Sequence, residues 1–185
     1  AGVDDPVEIV LPTGSYLPQF RLRSRGPGPD PRARARDAQA YELYLRGRKQ
    51  LNATGPDSMA RALALLHGAV ELDPAFAEAS VAIAEAHFVS AIFGLAAPAD
   101  ALAAAGRGAE AALAANPGLA TAHAQMGRVL AARDHDFVGA EAAFDRAMAL
   151  DPEQPAVPQA RAMCFLAPLG RLDEAAQDTG ALVEA

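Results

Sequence analysis

The sequence predicts an all-α fold of stacked helix pairs, preceded by a short β-hairpin and a flexible linker. Three observations carry that expectation. Ala fills 47 of the 185 positions, and Trp is absent. Three near-identical junctions recur, AVELDPAFAEA, ALAANPGLATA and AMALDPEQPAV, with their prolines at Pro74, Pro117 and Pro152. Dense Pro and Gly with few apolar residues are confined to residues 23–37. Ala-rich helices are thin and pack closely, and a repeated junction implies a repeated unit.

The first element is Val7 to Leu22, VEIVLPTGSYLPQFRL. Two β-prone runs flank Pro12-Thr13-Gly14, and Gly14 suits a turn with φ > 0, so residues 1–22 read as a β-hairpin. An isolated hairpin is marginal in water and needs a surface to dock on. Residues 23–37 read as a semi-extended, solvated linker. The Arg-rich stretch from Arg21 to Arg36 serves as a tether, with a phosphate contact as the alternative; no aromatic residue interleaves these Arg to stack on bases.

Residues 38–185 read as four units, at about 38–74, 75–117, 118–152 and 153–185. At each junction a helix ends, Asp73, Asn116 or Asp151 is placed to cap the next one, and Pro takes an early position where its missing N–H costs nothing. Each unit reads as two antiparallel helices. AYELYLRGRKQLN and ARALALLHGAVEL form the first pair, and the second unit carries extra residues, FGLAAPADAL, near its turn. GLATAHAQMGRVLAAR and GAEAAFDRAMAL form the third, joined by DHDFV. AVPQARAMCFLAPL, the turn Gly170-Arg171 and LDEAAQDTGALVEA form the fourth. Small residues (Ala84, Gly127, Ala162, Ala140, Ala147 and Ala175) fall where helices must touch, and Ile83, Met126 and Phe144 fill the gaps.

Composition excludes several function classes. The formal net charge is −7, and the basic excess is confined to the linker, so the helical part is a poor binder of phosphate backbones. One Cys rules out a disulfide scaffold or a Cys-ligated zinc site and suits a reducing, cytoplasmic setting. The acidic start AGVDDPVEIV does not read as a secretory signal, and no apolar run reaches the roughly 18 residues of a membrane span. The histidines His67, His87, His123 and His135 include no i, i+4 pair for a metal. His87 shares a face with Ile83 and reads as a packing residue; Asp134-His135-Asp136 reads as a solvated turn. Cys164 lies among Met163, Phe165 and Leu166 and reads as an inert buried thiol. No phosphate-binding glycine loop or nucleophile elbow is present. Neither a catalytic constellation nor a cofactor or metal site is expected.

These residues resemble the tetratricopeptide repeat (TPR), a helix-turn-helix unit of about 34 residues. GRLDEA at 170–175 matches its inter-helix turn, AEAAFDRAMALDP at 140–152 its second helix and exit, and AQMGRVL at 124–130 its first helix. ARALALLHGAVELDP at 60–74 supplies another second helix. The pattern departs from the family at Ser80 and His123, where a large aromatic is common and looser packing is therefore expected, and at Arg46, which leaves the register of the first helix open by one residue. The order of segments is similar to the repeat region of bacterial transcriptional regulators and cyclase-like signalling proteins. DDPVEIVLPTGSYLPQF is similar to the closing wing of a winged-helix domain whose recognition helix would lie upstream, so DNA contact is expected only through a domain outside this chain.

The resemblance implies an α-α superhelix with an inner wall of first-helix side chains, working as a protein-interaction module without catalysis. The wall residues it implies are Tyr44, Arg48, Glu78, Val81, Glu85, Phe88, Thr121, Gln125 and Arg128. The family's Asn/Lys clamp for a terminal carboxylate has no match at Val81, Glu85, Gln125 and Arg128. Glu78 and Glu85 are expected to favour a basic or apolar ligand. The implied partner is a protein or peptide; the alternatives are homo-oligomerisation and an accessory role beside a cyclase.

Overall fold

The computed structural model describes residues 37–53 and 55–180; the hairpin and all of the linker except Asp37 lie outside them. Among the described residues there are eight helices and no strand. They form four antiparallel pairs: α1 (Ala38–Leu51) with α2 (Pro56–Leu72), α3 (Ala77–Ile92) with α4 (Pro98–Ala115), α5 (Ala120–Val129) with α6 (Phe137–Leu150), and α7 (Ala156–Arg161) with α8 (Leu172–Gly180).

Local chemistry sets the helix starts. Asp37 caps α1, its Oδ1 accepting from the N–H groups of Gln39 at 2.7 Å and Ala40 at 2.9 Å. Pro56 and Pro98 open α2 and α4 in the first turn, where no N–H is needed. Asp136 caps α6 by accepting from Gly139 N–H at 2.9 Å. The residues FGLAAPADAL, expected as an insertion, divide: Phe93–Ala97 make the turn, and the rest extends α4 to 18 residues.

The first helices of the last three pairs end alike. Gly94 has φ 65°, and the following Leu95 N–H donates to Ser90 O at 2.8 Å. Gly170 has φ 75°, and Arg171 N–H donates to Leu166 O at 3.0 Å. In the third pair His135 holds the left-handed position with φ 54°, and Asp136 N–H reaches Leu130 O at 3.1 Å. α5 and α7 both widen into a five-residue π turn before this stop, over Leu130–Asp134 and Ala162–Leu166.

The repeated junctions differ from the expected caps. Asp73, Asn116 and Asp151 terminate α2, α4 and α6, each backbone N–H donating to the carbonyl four residues back. Each is then the first residue of a β-turn with Pro at the second position. Phe76 N–H donates to Asp73 O at 3.0 Å, Leu119 N–H to Asn116 O at 3.2 Å, and Gln154 N–H to Asp151 O at 3.2 Å. The Asp73 and Asn116 side chains brace their turns by accepting from Ala75 and Gly118 N–H, at 3.2 Å and 3.1 Å. The helices that follow start one turn later, at Ala77, Ala120 and Ala156, with no side-chain cap from these residues.

Small-into-large packing sets the spacing within pairs. A Cβ on Gly127 would sit 2.9 Å from the Phe144 ring and 3.2 Å from Ala140 O. A Cβ on Gly47 would sit 2.7 Å from Leu66 Cγ and 3.4 Å from Ala62 O. Gly47 and Gly127 therefore hold the same place in their units, which fixes the register of α1 and leaves Arg46 exposed. The looser packing expected around Ser80 is not observed. Twelve of the sixteen residues of α3 are buried, Ser80 among them, and a Cβ on Gly108 would lie 3.0–3.2 Å from the Cβ, N and Cα atoms of Ala84. Small side chains on both helices let α3 and α4 close the gap that an aromatic fills elsewhere. His123 makes its own contact, its Nε2 lying 2.9 Å from Pro117 O.

Apolar layers run between pairs as well as within them. Tyr41, Tyr44 and Phe76 gather where α1 meets the first junction, with the Tyr44 and Phe76 ring centroids 5.0 Å apart. Phe144 and Phe165 pack 5.8 Å apart between the third and fourth pairs.

Candidate functional site

The first helices of all four pairs contribute to one open groove with a volume of about 660 Å³. α1 gives Tyr44 and Arg48; α3 gives Glu78, Val81 and Glu85; α5 gives Thr121, Ala124, Gln125 and Arg128; α7 gives Val157 and Ala160. The third junction closes the wall with Leu150, Asp151 and Gln154. Helical spacing explains the assembly. Tyr44/Arg48, Val81/Glu85 and Ala124/Arg128 are i, i+4 pairs on equivalent turns of successive first helices, so they project along one face.

Eight of the nine residues anticipated for this wall lie on it. The ninth, Phe88, is only 5% exposed; its ring packs with Ala105 and Val129, beneath the Arg128 guanidinium at 5.6 Å from the ring centroid. It supports the groove from behind. The wall also contains Ala124, Val157 and Ala160, which sequence reasoning did not single out. The i, i+4 repetition carries a signal for Ala124. The α7 residues had none, because Pro158 and the π turn obscure the pattern there.

Electrostatics in the groove are mixed. Glu85 forms an ion pair and hydrogen bond with Arg48, across from α3 to α1. The repulsion of carboxylates expected from Glu85 is thereby offset. Glu78 is buried at the base of the wall. Burial pushes the Tyr44 phenol above its ordinary range; Arg48 opposes this, and Glu78 and Glu85 reinforce it. Tyr44 is thus a neutral phenol across the physiological range. On α5, Arg128 Nη1 donates to Gln125 Oε1 at 2.8 Å. Cys164 packs against the Phe88 cluster, and burial pushes its thiol up, away from the reactive thiolate.

Among the described residues no group of three or more His, Cys, Asp or Glu is placed to hold a metal ion. No helix among them is long and apolar enough to cross a membrane. What the groove offers is hydrogen bonding, ion pairing and apolar contact along an elongated, solvent-open surface.

Comparison with protein-family models and with curated proteins finds no match. Among solved structures the chain is similar to a thermophilic TPR protein of Thermus thermophilus. The two share 26% sequence identity over 80% of this chain and 74% of that one, with a TM-score of 0.67. The fold is a TPR-like helical repeat, and such a fold points to a protein-interaction module.

Proposed function

We propose that this chain is a non-catalytic interaction module that holds an extended segment of a partner protein along the groove. The observation that carries this reading is the convergence of four first helices on one continuous open surface, with Tyr44, Val81, Thr121 and Arg128 on its wall. An open groove of this kind suits an extended chain better than a compact metabolite, which binds in a more enclosed pocket. The single Cys is consistent with a cytoplasmic setting, and the winged-helix-like DDPVEIVLPTGSYLPQF with a place in a bacterial transcriptional or signalling regulator. DNA contact then belongs to a winged-helix domain outside this chain.

The test is selection of groove-binding peptides from a displayed random library, followed by Thr121→Trp. The indole fills the middle of the groove, so selected peptides are expected to lose at least about tenfold in affinity, a difference of roughly 1.4 kcal/mol, while the melting temperature holds. Undiminished binding to the Trp variant would remove the groove as the site.

Self-association is a second reading, and one observation favours it. Phe93 and Val138, 73% and 82% exposed, and Leu172, 63% exposed, cluster at the turns joining first to second helices. Because the helices alternate in direction, these turns share one edge of the stack, and an apolar edge of this kind is a contact surface. The mass in solution as a function of concentration separates the two readings.

A further inference from the structure

Away from the groove, a second open cleft of about 480 Å³ lies between α1 and α2. Arg46, Lys49 and Gln50 line it from α1, and Arg61, Ala64 and Leu65 from α2. Each trio is spaced i, i+3, i+4, so two helix faces meet along one seam. On α1 this face is opposite Tyr44 and Arg48, and on α2 it is opposite Leu63 and Val70, which pack toward α3. The cleft is therefore on the outer side of the first pair, turned away from the second. Its charge is one-sided. Arg46, Lys49 and Arg61 are exposed, and among the described residues none of them is in an ion pair. Glu42 and Asp57 stand one turn before Arg46 and Arg61 but do not pair with them, and Arg61 donates only to the neutral Ser58 Oγ, at 3.3 Å. By contrast, Arg48, Arg133, Arg161 and Arg171 each meet a carboxylate. The helix dipole accounts for Lys49, which lies in the last turn of α1. It does not account for Arg61, which lies in the first half of α2.

Three cations gathered in one concave seam repel one another, and an anion seated between them removes that repulsion. We propose that the α1–α2 cleft binds the phosphates of a nucleic-acid backbone. The distribution of charge along the chain favours a polyanion. Residues 21–61 hold ten bases and four acids, whereas residues 62–185 hold six bases and sixteen acids. The basic run ahead of Asp37 leads directly into the helix that carries two of the three cleft cations, so a long anion gains from both and is repelled by the rest of the array. The guanidinium forks of Arg46 and Arg61 suit phosphate oxygens, and the Gln50 amide adds a neutral donor. No aromatic residue lines the cleft, so it offers contacts to phosphate and no platform for stacked bases. Its concave form admits a strand and does not match a flat bilayer surface. The contact is independent of sequence; base reading stays with a domain outside this chain. This site goes beyond the peptide-holding reading and occupies a different face.

The test uses the full chain and a labelled duplex of mixed sequence, about 20 base pairs long, titrated at several salt concentrations. The slope of log affinity against log salt counts the phosphates neutralised, at about 0.9 per contact. The double variant Arg46→Gln, Lys49→Gln is expected to bind more weakly and to lower that slope by about two. Arg107→Gln with Arg146→Gln removes the same charge from exposed positions on α4 and α6 and is expected to leave the slope unchanged. Melting temperatures confirm that both variants fold, and Arg61→Gln with Arg46→Gln replaces the first pair of substitutions if that variant does not. A slope that falls by less than about one in the cleft variant, or equally in both variants, overturns the site and leaves the linker or net charge as the source of binding. Vesicles of phosphatidylglycerol in phosphatidylcholine form the second arm. Cleft-dependent binding to vesicles without cleft-dependent binding to the duplex overturns the nucleic-acid assignment in favour of a membrane surface. Failure of Thr121→Trp to block peptides bears only on the groove and leaves this site standing.

Discussion

Gly127 sets the distance between α5 and α6. A Cβ there would already overlap the Phe144 ring at 2.9 Å, and the ring cannot retreat freely because Phe165 packs behind it at 5.8 Å. Gly127→Leu therefore forces the two helices apart or rotates Phe144 out of its rotamer, at a cost of about 1–3 kcal/mol. Thermal unfolding reads this directly, and an unchanged melting temperature contradicts the close contact. Gly127 was recognisable from sequence because its neighbours repeat: a small residue in the first helix faces Ala in the second. The resemblance to the repeat implies Gln125 on the wall, but its burial is not legible in the sequence. A Gln two residues from a packing Gly reads as a surface side chain, yet Gln125 is only 4% exposed. Phe88 shows the reverse. The resemblance implies it on the wall, yet an aromatic ring gains more by entering the layer formed by Ala105 and Val129 than by facing solvent.

At the scale of elements, the pairing of helices was legible because three junctions repeat the same turn. Their detailed chemistry was not. Asp73 and Asn116 match the composition of an N-cap, but Pro follows at once and takes the second position of a β-turn, so their side chains close that turn and the helix begins a turn later. Sequence alone does not separate these two uses of Asp-Pro, since both satisfy the same backbone donors. The widened ends of α5 and α7 have no signal in the sequence either. α3 carries the clearest electrostatic consequence. His87 is half-buried in it, and burial, aided by His67 and Arg107 on the adjoining helices, holds its imidazole below the ordinary value. The unfolded chain, with a His pKa of about 6.5, then binds more protons than the folded one between the folded pKa and that value. The stability is present in full above pH 6.5 or so and falls as the pH drops through the window. Melting at pH 7.5 and 5.5 is expected to show a smaller drop for His87→Gln than for the wild type. Parallel drops would assign the acid sensitivity to other groups.

Across the whole molecule, stability is graded along the stack, because each pair is buried by its neighbours and the pairs differ in what they offer. α3 lies inside, with twelve of its sixteen residues buried and contacts to α1, α2, α4 and α6's partner α5. α8 has no buried residue over Leu172–Gly180. It is attached by Ala175 packing on the layer of Phe144 and Phe165 and by ion pairs: Arg171 with Glu141 at 2.7 Å, and Arg161 with Asp178 at 3.4 Å. Arg171 also holds Glu174 within α8 and lies over Phe165 at 5.7 Å. The ion pairs of Arg171 are solvated and contribute little, whereas the apolar layers around α3 contribute in proportion to buried area. In a one-dimensional array, a weakly attached end opens without opening the middle. Amide hydrogen exchange is therefore expected to show α8 exchanging through local opening at low free energy, and α3 exchanging only near the global value. Added salt should accelerate α8 selectively, since screening acts on ion pairs and leaves the apolar layers intact. Equal protection of α3 and α8 would mean that the four pairs open as one cooperative unit, and that the end pair is coupled more tightly than its burial accounts for.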